Sequence, residues 1–172
     1  RTVGYALRNL GEVARHRGEY GRAALLGMES LSLFREVADE WHIASTLAWL
    51  GRITLYTSDD LEAAAAFFRE GLMVAKRIED GECAALCLEG FAGLAGARAQ
   101  GARSAQLYGA TEALREAVGV PLSPVDRPDH DHTVAAARAQ LDEAVWRTAW
   151  DEGKAMSLEE AVEYALGGGD HP

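Results

Sequence analysis

Three quartets of recurring positions share one spacing along this chain. Val3, Leu7, Leu10 and Ala14 are separated by steps of four, three and four. Ile43, Leu47, Leu50 and Thr54 repeat those steps, and so do Ala84, Leu88, Phe91 and Ala95. Such steps bring side chains to one face of an α-helix. The quartets recur at a nearly constant interval, from Val3 to Ile43 and from Ile43 to Ala84. An interval of that length signals stacked helical pairs, because one pair cannot bury its apolar face alone.

Each pair has a second helix with its own marker positions: Ala23, Gly27 and Leu31, then Ala64, Phe68 and Leu72, then Ala105, Gly109 and Ala113. Small residues at Ala23 and Gly27 allow close helix approach, while Leu31 fills the space between repeats. The pairs are predicted over about 1–38, 39–79 and 80–118. They turn at Gly18-Glu19, at Ser58-Asp59-Asp60 and near residues 99–101. Gly18 sits where a helix C-terminus calls for positive φ, and Ser58, Asp59 and Asp60 supply caps for the next helix.

The pattern stops after Gly119. Pro121, Pro124 and Pro128 make 119–128 a proline-rich loop, where regular helix is forbidden. Capping helices are predicted over 129–166. Val134, Ala137, Leu141 and Val145 mark the first stretch, with a fresh start at Asp142 and a stop at Gly153. Ser157 with Glu160 reads as a capping box for a last helix. Gly167, Gly168 and Gly169 begin a flexible tail, 167–172.

Composition narrows the function. A length of 172 residues suits one domain with a sizeable core. A net charge of −10 argues against general affinity for nucleic acid. No apolar run approaches a membrane span and no signal-peptide pattern opens the chain. Two cysteines exclude a disulfide framework, so a cytoplasmic setting is expected. The chain opens on Arg1 with the pattern starting at Val3 and no polar capping segment before it. That arrangement predicts a piece of a longer protein whose first helix exposes a face that drives self-association.

Leu10-Gly11, Gly18, Tyr20, Ala23 and Leu31 match the tetratricopeptide pattern, and Leu50-Gly51 with Ala64 repeat part of it. The departures are a period longer than that family's own and the lack of a helix-ending proline. The longer period resembles repeats in the C-terminal regions of bacterial signal-transduction ATPases and of large LuxR-type, MalT-like transcriptional regulators. The segments GATEALREAVGVPLSPVDRP and TVAAARAQLDEAVWRTAWDEGKAMSLEEAVEYAL resemble the C-terminal end of those proteins. The resemblance implies an all-α, right-handed superhelical stack with a C-terminal helical cap. It also implies a sensor or interaction role in signal transduction or transcription regulation. Neither a helix-turn-helix nor a Gly-x-x-x-x-Gly-Lys-Ser/Thr phosphate loop accompanies it, so direct DNA contact is not expected.

First helices of tetratricopeptide pairs line the inner groove. The stripe beside the quartets carries Tyr5, Arg8, Glu12 and Arg15, then Trp41, Ser45, Ala48 and Arg52, and weakens to Leu86, Glu89 and Gly93. Arginines favour carboxylates and phosphates through their planar fork. The plainer alternative is a solvated helix face with Arg8–Glu12 and Arg15–Glu12 pairs. Asp126, Asp129, His130, Asp131 and His132 contain metal-ligating types, but capping explains the aspartates and no metal is expected. Cys83 and Cys87 read as small apolar filler. Trp49 is expected between repeats, Trp146 and Trp150 between the terminal helices and the last repeat, and Phe67 and Tyr108 in the core. No Gly-x-Ser-x-Gly elbow occurs, and the acidic pairs Asp59-Asp60 and Glu159-Glu160 fall at helix starts.

The expectation is therefore a non-enzymatic scaffold without cofactor. It would hold a protein, peptide or small effector in its groove, or else serve purely for self-association as a homo-oligomer.

Overall fold

The computed structural model describes residues 1–57 and 60–167. Among these, nine α-helices and no strand occur. They are α1 (Thr2–His16), α2 (Tyr20–Glu36), α3 (Glu40–Thr57), α4 (Leu61–Arg77), α5 (Gly81–Ala97), α6 (Gly101–Val118), α7 (Arg127–Arg138), α8 (Glu143–Lys154) and α9 (Leu158–Gly167). The architecture is all-helical, with helices packed in adjacent pairs. The chain divides into two compact units, Arg1–Ala84 and Ala85–Pro172. Ser58 and Asp59 of the second expected turn, and Gly168 and Gly169 of the expected tail, lie outside the described residues. No described helix is long and apolar enough to cross a membrane.

The four turns at 17–19, 37–39, 78–80 and 98–100 share one geometry. Gly18, Ala38, Glu79 and Ala99 take left-handed backbone, with φ of 76°, 52°, 54° and 57°. In each case the next residue donates its N–H back across the helix end: Glu19 to Ala14 O, Asp39 to Phe34 O, Asp80 to Ala75 O and Gln100 to Ala95 O, all at 2.9–3.0 Å. Those same four residues accept the first bond of the following helix at 2.9–3.1 Å, from Ala23, Ile43, Ala84 and Ser104. Only Gly18 is a glycine. The three others carry a left-handed strain of about 1–2 kcal/mol each, offset by the carbonyls that the turn satisfies. Asp39 and Asp80 occupy equivalent positions one repeat apart. The Asp80 carboxylate also caps Cys83 N at 2.7 Å.

In the first unit α1 packs on α2, α2 on α3 and α3 on α4. Trp49 of α3 is 1% exposed and lies against α1 and α2. A Cβ on Gly11 would come within 2.7 Å of its ring and one on Gly27 within 2.5 Å. Phe68 of α4 fills the vacancy at Gly51 in the same way. Truncating a ring buried this completely costs about 3–5 kcal/mol.

The first quartet departs from expectation. Val3 is 61% and Leu10 51% exposed and Leu7 is half-buried; of the quartet only Ala14 is buried, and α1 turns Gly4 and Gly11 inward beside it. Phe34 and Trp49 stand on that side, and only side-chain-free positions admit them. The second and third quartets are buried apart from half-buried Thr54. Phe67 is half-buried, while Phe68 is the ring that enters the core.

In the second unit α6 packs against α7, α8 and α9. Helix α6 lies directly on α8 at two glycines: a Cβ on Gly109 would overlap the Trp150 carbonyl oxygen, and one on Gly153 would overlap that of Gln106. Gly153 therefore does not stop α8, which runs on to Lys154; its missing side chain is what the crossing requires. Trp146 is buried, and Trp150 stacks on buried Tyr108 with centroids 6.2 Å apart. The Ser157–Glu160 capping box forms, with Glu160 N to Ser157 Oγ at 3.2 Å and Ser157 N to Glu160 Oε2 at 2.7 Å. Arg103 Nη2 bonds the carbonyls of Tyr164 and Ala165 at 2.8 and 3.0 Å, satisfying the end of α9. Helix α7 starts at Arg127 with Pro128 in its first turn, where a missing N–H costs nothing.

Gly153→Ala must push backbone from backbone, so it is expected to lower stability by about 1–3 kcal/mol. Gly21→Ala, with open space around it on α2, is expected to be neutral or up to about 1 kcal/mol stabilising. Thermal unfolding followed by circular dichroism separates the two; equal effects would contradict the crossing.

Candidate functional site

In the first unit, steps of four and three on α1 place Arg8, Glu12 and Arg15 on one face. Glu12 accepts from Arg15 Nε at 2.8 Å and from Arg8 Nη1 at 3.4 Å. The Arg8 guanidinium lies 4.4 Å from the centroid of the Trp49 ring, a cation–π contact. The side chains of Arg8 and Arg15 are only 22% and 12% exposed. Burial lowers the Arg8 pKa against the pull of Glu12, and the charges of Arg52 and Arg15 press it down further. Burial would raise Glu12, but Arg15 and then Arg8 outweigh it and hold the carboxyl below its usual range. The buried Trp49 indole N–H adds to that lowering, although no strict hydrogen bond reaches it.

Both ion pairs of the plainer sequence alternative are thus present, on largely shielded guanidiniums, with the Arg52 charge near enough to act on Arg8. Holding these guanidiniums on a fixed floor removes much of the rotamer entropy that a partner would otherwise have to freeze.

Beside the strip, Tyr5 meets His42 edge-on at 4.4 Å and Phe34 at 5.5 Å, and Trp41 meets His42 at 4.6 Å. His42, absent from the sequence-based stripe, joins the two aromatic residues that are in it. Its Nδ1 lies 2.8 Å from Asp39 Oδ1. Ser45 is buried and its hydroxyl bonds the His42 carbonyl at 3.3 Å, so it holds the backbone rather than facing solvent.

Glu89 belongs to the second unit. It is buried on α5 and gathers two nitrogen donors: Arg115 Nη2 at 2.6 Å and His130 Nδ1 at 2.8 Å. A carboxylate offers only acceptors, so Nδ1 carries the shared proton. Burial would raise Glu89, yet His130 and Arg115 prevail and hold it below the ordinary glutamate range. Arg115 and His130 line a cavity of about 480 Å³, together with Tyr108, Thr111, Trp150 and the loop residues Pro121 and Leu122. Trp150 Nε1 donates to Glu112 Oε2 at 2.7 Å, and Lys154 Nζ stands 3.5 Å from both Glu112 and Glu116.

Sequence reasoning assigned the aspartates around His130 to capping and left Arg115 unremarked. The one available signal was Glu89 itself, a lone acid in the apolar run CAALCLEGFAGLAG. No grouping of three or more His, Cys, Asp or Glu able to hold a metal occurs among the described residues. Cys83 and Cys87 are buried, and burial pushes the Cys87 thiol up.

Glu89→Gln is expected to cost about 2–4 kcal/mol near neutral pH, because Arg115 keeps its charge without its partner. The folded carboxyl lies below the ordinary glutamate value of 4.5. Its contribution is therefore complete above that pH and is lost as the pH falls through the lower folded value. Urea unfolding followed by tryptophan fluorescence should show the gap between the variant and the parent chain closing toward pH 3. A gap independent of pH would contradict the ionised pair.

No family model, curated protein or solved structure matches the chain.

Proposed function

We propose that this chain is a non-enzymatic helical-repeat scaffold that captures an acidic segment of a partner protein. The observation that carries the reading is the arginine strip: Arg8 and Arg15 fixed around Glu12 on the Trp49 ring, with Arg52 close enough to repel Arg8. Partly desolvated guanidiniums form stronger hydrogen bonds to carboxylates than solvated ones. Tyr5 and Trp41 add exposed aromatic area at one end. Aromatic and arginine side chains of this kind dominate binding energy at protein interfaces.

Two further features support a repeat scaffold of tetratricopeptide type. One is the turn geometry shared by Ala38 and Glu79, one repeat apart. The other is the resemblance carried by Leu10-Gly11, Gly18, Tyr20 and Ala23. On that resemblance the chain serves as the sensor or interaction module of a bacterial signal-transduction ATPase or LuxR-type regulator.

A second reading, self-association, is favoured by Val3, Leu10 and Val13, which expose an apolar row along α1.

A fluorescently labelled glutamate-rich peptide tests the first reading by anisotropy. Saturable, salt-sensitive binding is expected. The double variant Arg15→Gln/Arg52→Gln, which leaves Arg8 on its ring, should weaken it by about tenfold or more. Unchanged affinity in a variant that keeps its helical circular dichroism overturns the strip. Sedimentation of the same samples reports on self-association: assembly that rises with concentration and is lost in Leu10→Ser, with no peptide binding, establishes the second reading instead.

A further inference from the structure

The cavity of the second unit suits a small molecule rather than a peptide: about 480 Å³ falls within the range of small-ligand pockets. Its walls carry both signs of charge. Arg115 commits Nη2 to Glu89, which leaves other N–H groups for the cavity it lines. His130 commits Nδ1 to the same carboxylate, leaving Nε2. Arg127 and Asp131, one turn apart on α7, both line the cavity, and neither has an ion pair among the described residues.

A simple anion would meet Asp131, Glu112 and Glu116, and a simple cation would meet Arg115 and Arg127. A ligand carrying both charges at short separation is attracted by both sets. Leu122 and Trp150 add apolar surface to the same wall lining.

We propose that this cavity binds a small zwitterion of the amino-acid class. Its carboxylate is held by Arg115 and Arg127, its ammonium by Asp131, and its apolar part rests on Leu122 and Trp150. Glu89 is the positioning residue: buried itself, it fixes Arg115 and His130 before the ligand arrives, so that little ordering cost falls on binding. The site belongs wholly to the second unit, so its failure would leave the arginine-strip reading untouched.

Isothermal titration of the whole chain with each proteinogenic amino acid at millimolar concentration provides the test. At least one free amino acid is expected to bind saturably. Its N-acetyl and carboxamide derivatives should each bind about tenfold or more weaker, because each removes one charge. Arg127→Gln and Asp131→Asn should weaken the free amino acid similarly while leaving the unfolding temperature unchanged, since neither side chain is buried. Three results overturn the proposal: no binding by any amino acid, blocked derivatives that bind as well as the free form, or full affinity in both variants.

Discussion

The absence of a side chain at helix crossings is the constraint on which both candidate sites rest. Trp49 can stand between α1 and α2 only because Gly11 and Gly27 leave room for its ring. Once the ring is there, its face carries Arg8, and Glu12 then gathers Arg8 and Arg15 into a strip. In the second unit the vacancies at Gly109 and Gly153 let α8 lie backbone to backbone on α6. That close approach sets Trp150 against Tyr108 and closes one wall of the cavity. Interiors packed at crystal-like density transmit such choices directly. A methyl group at any of these crossings would therefore disturb side chains that touch no glycine.

The two sites use the same electrostatic device in different surroundings. In each, one carboxylate draws two nitrogen-donor side chains together: Glu12 with Arg8 and Arg15, Glu89 with Arg115 and His130. The Glu12 side chain keeps 32% exposure, whereas that of Glu89 keeps 10%. Burying an ion pair returns little net stability, because desolvation consumes most of the Coulomb gain. Apolar residues in place of Glu89, Arg115 and His130 together would pack about as well, whereas removing Glu89 alone strands Arg115. What the carboxylate adds is a defined direction for two side chains that line the cavity.

Much of this was legible in the chain, and the gaps have physical causes. The pairing of helices could be read because their spacing and small residues recur. The capping box at Ser157 and Glu160 could be read because it is local. The inward face of α1 could not: Gly4 and Gly11 supply no hydrophobic signal, and the buried row is shifted one residue from Val3 and Leu10. Ala38, Glu79 and Ala99 carry no mark of left-handed backbone, because the surrounding hydrogen bonds impose it. Of the stripe residues, Arg8, Glu12 and Arg15 meet as their spacing on α1 dictates. The contacts of Arg115 and His130 with Glu89 escaped notice because they span sequence separations of 26 and 41. Only the packing of α6 and α7 creates that contact.

The degree of desolvation separates what the two proposed sites would recognise. A strip of partly buried guanidiniums along a helix would offer repeated contacts, so its affinity would grow with the number of carboxylates presented and fall with salt. A cavity floored by Arg115 and His130, both held from behind, offers few contacts, each in a drier setting where a misplaced or missing charge is costly. On the proposed readings, the first arrangement would tolerate variation in a partner's sequence, and the second would discriminate between ligands that differ by one functional group. Both follow from where helices can touch, so the small-residue pattern shapes binding chemistry as much as it shapes the fold.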